Sequence, residues 1–310
     1  MIPRLAVHDA QVPSPGALNL DHVAHFVPDR EAAASALARL GFTTTPFSEQ
    51  FHRLEADGPL VPAGTGNRCV MLREGYLEFL TPFLATPVAA QLRDAIARYT
   101  GVHLIAYGTA DAEADHARLS AEGFAPPPAV RLQRDAEAPS GTTTTVRFVV
   151  TRTPPGTMPE GRIQFCGHQT PEGVWQLRWL DHANRAAGLR RVFLVLADPA
   201  EAATRYARYA GLPSDRVAGP SGTEFVQQTE RGALHLMDAE AFRAQFDPGA
   251  SMALPPLPWI AGYELASDDL SITRAVLENG GSAVTELRDG RLRVLLPPEL
   301  GGFILFSARC

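Results

Sequence analysis

Leu20-Asp21-His22-Val23-Ala24-His25-Phe26 and, some eighty residues on, Gly101-Val102-His103-Leu104-Ile105-Ala106-Tyr107 are the two stretches that decide the fold. Each reads as a strand rich in β-branched and apolar residues. Each is followed by an Ala-rich helical stretch, Arg30 to Leu40 and Ala110 to Glu122, closed by Gly41 or Gly123. Strand-like runs complete both units. Gly75-Tyr76-Leu77-Glu78-Phe79 near the end of the first answers Gly161-Arg162-Ile163-Gln164-Phe165 at the end of the second. His22 thus aligns with His103 and Glu78 with Gln164.

The pattern recurs twice more. Leu189 to Leu196 opens a third unit, with Asp198-Pro199 repeating the turn of Pro28-Asp29. A Pro-rich linker, Met252 to Pro258, precedes a fourth that begins at Trp259. Repetition of one supersecondary unit predicts an α+β protein of tandem βαβββ modules, paired into two domains. The expected division is an N-terminal arm over 1–18, a first domain over 19–166, a connector over 167–188 and a second domain over 189–310. The arm is read as loose. Phe42 to Phe47 is read as a strand, and Pro87 to Tyr99 as a helix joining the first two units.

Bulk properties exclude several functions. The formal net charge of −6 gives no footing for a nucleic-acid partner. All 28 basic residues are arginine, so lysine-dependent Schiff-base chemistry is ruled out. Cys69, Cys166 and Cys310 are too few and too scattered for a disulfide framework. Cys69 and Cys166 sit in apolar runs and read as small buried hydrophobes. No apolar run reaches transmembrane length, and the start of the chain lacks a signal-peptide pattern, so no membrane partner and a cytoplasmic location are expected.

Strand alternation places His22, Ala24 and Phe26 on one face of the first strand. On this reading Val102, Leu104 and Ala106 lie opposite His103, and Ile163 and Phe165 opposite Gln164, as helix-facing surfaces. His22, Glu78, His103 and Gln164 then share the helix-free face as candidate metal ligands. His25 falls on the apolar side and reads as a hydrogen-bonded core histidine. Two imidazoles and a carboxylate suit a divalent transition metal, and nickel, iron, manganese and zinc all remain open. Asn67, Arg68, Tyr107 and His168 are further candidates for the substrate pocket. Arg68 could grip an anionic group, although a surface role is the commoner one.

These residues carry a resemblance. The paired units, with His22/Glu78 and His103/Gln164 at matching positions, resemble the vicinal oxygen chelate superfamily, which includes glyoxalase I, extradiol dioxygenases, fosfomycin-resistance proteins and metal-free bleomycin-binding proteins. Leu20-Asp21-His22-Val23, Gly66-Asn67-Arg68, Gly75-Tyr76-Leu77-Glu78 and the connector with His168, Thr170-Pro171-Glu172, Trp175, His182 and Asn184 are similar to the glyoxalase-like domain family of bacterial proteins. The resemblance implies glyoxalase-like domains, each a cupped mixed sheet formed by two units with metal and substrate inside, and ligands on the first and last strands of each unit. Glu78 would be the catalytic carboxylate, in isomerase, lyase or dioxygenase chemistry on a small oxygenated molecule. Gln164 departs from the carboxylate that many relatives carry there. The alternative is a metal-free protein of the same fold that binds or sequesters a small molecule. In the second domain the matching positions are Arg191 and His235, then residues near Gly262 and Ile304. No complete ligand set survives there, which leaves that domain as a structural partner, a lid or a homodimer platform.

Overall fold

A computed structural model describes residues 4–53, 59–138, 140–219, 221–247, 249 and 252–309. Four βαβββ modules follow one another. The first is β1 (Leu18–Phe26), α2 (Arg30–Arg39), β2 (Ser48–Arg53), β3 (Leu60–Met71) and β4 (Tyr76–Pro82), preceded by the short α1 (Arg4–Asp9). Helix α3 (Pro87–Arg98) leads to β5 (Gly101–Thr109), α4 (Ala112–Ala121), β6 (Val130–Glu137), β7 (Thr143–Arg152) and β8 (Arg162–His168). A connector holding α5 (Pro171–Val174) precedes β9 (Ala186–Val195), α6 (Pro199–Ala210), β10 (Asp215–Val217), β11 (Glu224–Gln228) and β12 (Ala233–Met237). Helix α7 (Ala239–Phe246) then joins β13 (Trp259–Ser267), α8 (Leu270–Asn279), β14 (Val284–Glu286), β15 (Leu292–Leu295) and β16 (Phe303–Ala308).

Each module starts in the same way for a local reason. Asp29, Asp111, Asp198 and Asp269 cap α2, α4, α6 and α8, each accepting hydrogen bonds from first-turn amides. Such a cap is worth about 1 kcal/mol and fixes where strand gives way to helix. Within a module the last strand returns parallel to the first, as in β1–β4 and β5–β8. The first strands of paired modules run antiparallel, β1 against β5 and β9 against β13. The strands of each half thus form one curved sheet, β2-β3-β4-β1-β5-β8-β7-β6 in the first and β10-β11-β12-β9-β13-β16-β15-β14 in the second, and the two are joined where Ile260 of β13 pairs with Val102 of β5.

The convex surfaces of both sheets and their helices share one core. It runs from Val23, Leu77 and Ile105 to Tyr206, Leu265 and Ile304. Polar ties cross between the halves: Tyr107 Oη donates to Gln227 Oε1 at 2.5 Å, Arg205 clasps Glu160 at 2.8 and 3.0 Å, and Tyr209 Oη donates to the Ile163 carbonyl at 2.7 Å. His25 is buried and bonded, Nδ1 to the Leu300 carbonyl at 2.8 Å and Nε2 to Tyr263 Oη at 3.1 Å. It is thus a core histidine that spans the halves.

On the concave side the joining helices fill part of each cup. Leu92 of α3 packs with Ala24, Leu80 and Leu104, while Phe242 and Phe246 of α7 pack with Phe193 and Phe303. Two local expectations need correction. Phe42 to Phe47 is not a strand; β2 follows it at Ser48–Arg53, and Gly66 of β3 lets the Phe47 ring press on its backbone. The N-terminal arm is anchored, because Val7 packs with Trp175 and the Gln11 amide bonds the Arg73 carbonyl and the Gly75 amide. Helix α7, unforeseen in the sequence, occupies the place in the second half that α3 takes in the first. Among the described residues no helix is long and apolar enough to cross a membrane.

Candidate functional site

The floor of the first cup can be read strand by strand from the register. One row runs Met71, Tyr76, His22, Ala106, Gln164, Arg152; the next runs Cys69, Glu78, Ala24, Leu104, Arg162. Beyond the first row Gly108 pairs with Cys166 and Phe148 with His168. Side chains at Arg162, Gln164, Cys166 and His168 alternate onto this one face of β8. Ala24, Ala106 and Gly108 keep the floor low between taller polar neighbours.

A β-bulge sets the chemistry at one end. The register between β1 and β5 shifts between Leu20 and His22, which leaves Asp21 as the extra residue. A bulge re-aims a side chain that alternation would send to the other face. The bare Cα of Gly108 lies beside the Asp21 side chain. Asp21 Oδ2 accepts hydrogen bonds from His22 Nδ1 at 2.6 Å and His168 Nε2 at 3.0 Å. All three side chains are buried. Burial works to raise the Asp21 carboxyl, but His168 and His22 outweigh it and hold the group well below the ordinary carboxylate range. For His168, burial works against the charged form, and Asp21 overrides it and pushes the imidazole up to about 10. The pair is therefore an ion pair at neutral pH.

Around this pair stand aromatic rings. His22 stacks on Tyr76 at 4.3 Å, and Trp175 meets the His168 ring edge-on at 4.6 Å. Burial raises the Tyr76 hydroxyl well above its usual value. Cys166 Sγ lies 3.7 Å from His168 Nε2, and burial pushes its thiol up. Among the described residues, Asp21, Cys166 and His168 form the one group of three His, Cys, Asp or Glu ligand atoms within 4.8 Å of one another.

Glu78, in the second row, accepts a 2.5 Å hydrogen bond from Asn67 Nδ2 through Oε1. Gln164 is buried, and its Oε1 has no partner; Asp21 Oδ1 and His168 Nδ1 are likewise orphaned. His22, Glu78, Gln164, Asn67 and His168 are thus brought into one cup. His103 is set apart. A second shift, between Ala24 and His25, makes it a bulge residue. Its Nε2 bonds the Tyr99 carbonyl at 2.8 Å and its ring stacks on Tyr99.

This bulge corrects the expected faces of β5: Leu104 and Ala106 face the cup, while Val102, Ile105 and Tyr107 join the shared core. Tyr107 is fully buried there and does not line the cup. Arg68 lies on the helix side, 3.6 Å from Glu31. The cap residues carry the signal that would have found this. Seven residues before Asp29, Asp111, Asp198 and Asp269 stand His22, Leu104, Arg191 and Gly262, so Leu104 is the counterpart of His22. By the same register Gln164 does match Glu78, and the fourth-module counterpart is Leu305, one residue beyond Ile304.

In the second cup the two central carboxylates are paired. Glu264 takes Arg191 at 2.6 Å, Arg291 at 3.0 Å and Ser307 at 2.7 Å, and Glu224 takes His235 at 2.6 Å and Gln245 at 2.6 Å.

No curated protein matches this sequence. Among solved structures, a hypothetical protein from Staphylococcus aureus is similar over 94% of this chain and 100% of its own, with 11% identity and a TM-score of 0.62. A triple mutant of 4-hydroxymandelate synthase from Streptomyces coelicolor is similar over 96% and 95%, with 14% identity and a TM-score of 0.53. A xylose isomerase-like TIM barrel/4-hydroxyphenylpyruvate dioxygenase fusion protein is similar over 97% of this chain and 50% of its own, with 11% identity and a TM-score of 0.51. These likenesses concern the fold, which is that of the vicinal oxygen chelate superfamily. The sequence matches the glyoxalase-like domain over residues 20–210, more than half of its length, and the chain belongs to that family.

Proposed function

We propose that the protein is a divalent-metal-dependent enzyme of the vicinal oxygen chelate type, acting on a small oxygenated molecule in the first cup. One observation carries this reading. Gln164 Oε1 is buried without a partner, and it lies across the small Ala106 from His22, whose Nδ1 is committed to Asp21. A carboxylate on one imidazole nitrogen fixes the tautomer and turns the other nitrogen into a donor, the arrangement found behind metal-ligating histidines. These residues fit a divalent cation held by His22 Nε2, Glu78 and Gln164. Once bound, such a metal would polarise vicinal substrate oxygens and stabilise negative charge on them.

The chain's own residues would do the rest. Asn67 holds one Glu78 oxygen and leaves the other to exchange a proton with substrate. The Asp21–His168 ion pair keeps His22 oriented without adding net charge. Tyr76, Phe148 and Trp175 shield this end from water. His103 stays outside the ligand set as a wall residue. Isomerisation, lyase and dioxygenase chemistry on adjacent oxygens all suit such a centre.

Elemental analysis after reconstitution tests the reading. Wild type should hold one divalent ion, His22→Ala should lose it and Cys166→Ser should keep it. The reverse pattern would move the metal to Asp21, Cys166 and His168. Wild type without metal would sink the proposal. The second reading, a metal-free binding protein, would then stand; it is favoured by the pairing of Asp21 with His168, which leaves that carboxylate no charge to neutralise.

A further inference from the structure

The second polar feature of the first cup is a pair of arginines that the metal proposal does not use. Arg152 stands beside Gln164 in the first row and Arg162 beside Leu104 in the second. Because Arg152 faces Gln164, Arg162 is its diagonal neighbour on β8, about 7–8 Å away. Both point into the cup and both are partly exposed. Arg162 also lies over the Phe26 ring, 5.9 Å from its centroid. Arg152 Nε is buried with no hydrogen-bond partner.

Among the described residues neither arginine makes an ion pair. For Arg162, burial and the charge of Arg152 pull the guanidinium down to about 10, while Glu78 works in the other direction. Burial pulls Arg152 down as well, against Cys166 and Glu78. Glu78 is the carboxylate that reaches both, yet its hydrogen bond is to Asn67 and it makes no contact ion pair with either. The second half shows what a satisfied pair looks like: Arg191 and Arg291 close on the single carboxylate of Glu264, at 2.6 and 3.0 Å. In the first half two cations occupy neighbouring positions of one cup face, partly desolvated and without such a carboxylate between them among the described residues.

We propose that the first cup takes a substrate bearing an anionic oxyacid group, carboxylate or phosphate, and that Arg152 and Arg162 receive it through charge-assisted hydrogen bonds. Planar guanidinium forks match such groups in geometry as well as charge. The placement orients the substrate. On β8 Arg162 lies two residues, about 7 Å, from Gln164, so an anion on the arginines sets the neighbouring atoms of the same small molecule beside Gln164 and Glu78. The inference rests on the first cup being the substrate site. It adds the charge class of the substrate and names the residues that would select it.

Titration calorimetry on the full chain tests this with inorganic phosphate, benzoate and the neutral isostere benzamide. Wild type is expected to bind phosphate or benzoate and to ignore benzamide, and whichever anion binds more tightly identifies the oxyacid. Arg152→Gln and Arg162→Gln should each weaken anion binding at least about tenfold, and the double variant about a hundredfold, as expected for lost hydrogen bonds to a charged group. Without anion these variants should melt no lower than wild type, since a repulsion is removed. Wild type that binds neither anion, a double variant that binds as wild type does, or single variants that melt lower without anion would each overturn the inference. Elemental analysis of the same samples keeps it separate from the metal proposal. Metal without anion binding sinks only the arginine assignment; anion binding without metal sinks only the metal reading.

Discussion

Replacement of His25 by phenylalanine should produce a stability defect that shrinks in acid. The imidazole is fully buried, donates from Nδ1 to the Leu300 carbonyl and accepts at Nε2 from Tyr263 Oη, so it is held neutral. Burial is the main cause of its lowered pKa, about 4 against an ordinary 6.5; the Leu300 carbonyl opposes that, and His103 adds to it. A histidine depressed in this way contributes stability that is fully present above pH 6.5 and is lost as pH falls towards 4, because the unfolded chain takes up a proton first. At pH 5 the loss amounts to about 2 kcal/mol. His25→Phe keeps the stack on Phe79 but strands the Leu300 carbonyl and the Tyr263 hydroxyl, at a cost of about 3 kcal/mol near neutrality. Phenylalanine cannot take up the proton, so the gap between variant and wild type should narrow to about 1 kcal/mol at pH 5. Urea unfolding of both proteins at pH 7.5 and pH 5.0 measures it. A gap that stays constant or widens in acid would refute the reasoning.

Two further changes probe how the cup and the halves are held. Trp175→Ala should lower stability by about 3–5 kcal/mol in urea, since a fully buried indole between Tyr76 and His168 leaves a cavity; a loss below about 1 kcal/mol would show that the connector is not a wall of the cup. Gly301→Ala should lower the melting temperature by several degrees, because Gly301 has φ +66° and a Cβ there would run into the Thr100 carbonyl. An unchanged melting temperature would mean that this loop, which carries the Leu300 acceptor of His25, adapts freely.

The module repeat was legible because its causes are local. Capping aspartates, terminating glycines and apolar alternation lie within a few residues of one another and recur four times. The match of Glu78 with Gln164 followed from the same repetition. His25 could be placed in the core by parity alone, since no bulge separates it from His22 within β1's pairing with β4.

Parity failed where the two bulges fall. Asp21 looked like a strand residue with no task, and His103 looked like the partner of His22. An extra residue in one strand leaves no mark on hydrophobic alternation as short as this; it is settled by which neighbour the strand pairs with. Cys166 read as a small hydrophobe because its neighbours are apolar, and its closeness to Asp21 depends on β8 lying beside β5. Arg152 and Arg162 were invisible as a pair because they belong to different strands. The sequence by itself determined four repeated modules, their pairing and the match of Glu78 with Gln164. Only the tertiary structure decided which side chains meet, because contact across a curved sheet depends on register and bulges, and those are fixed by strands far apart in the chain.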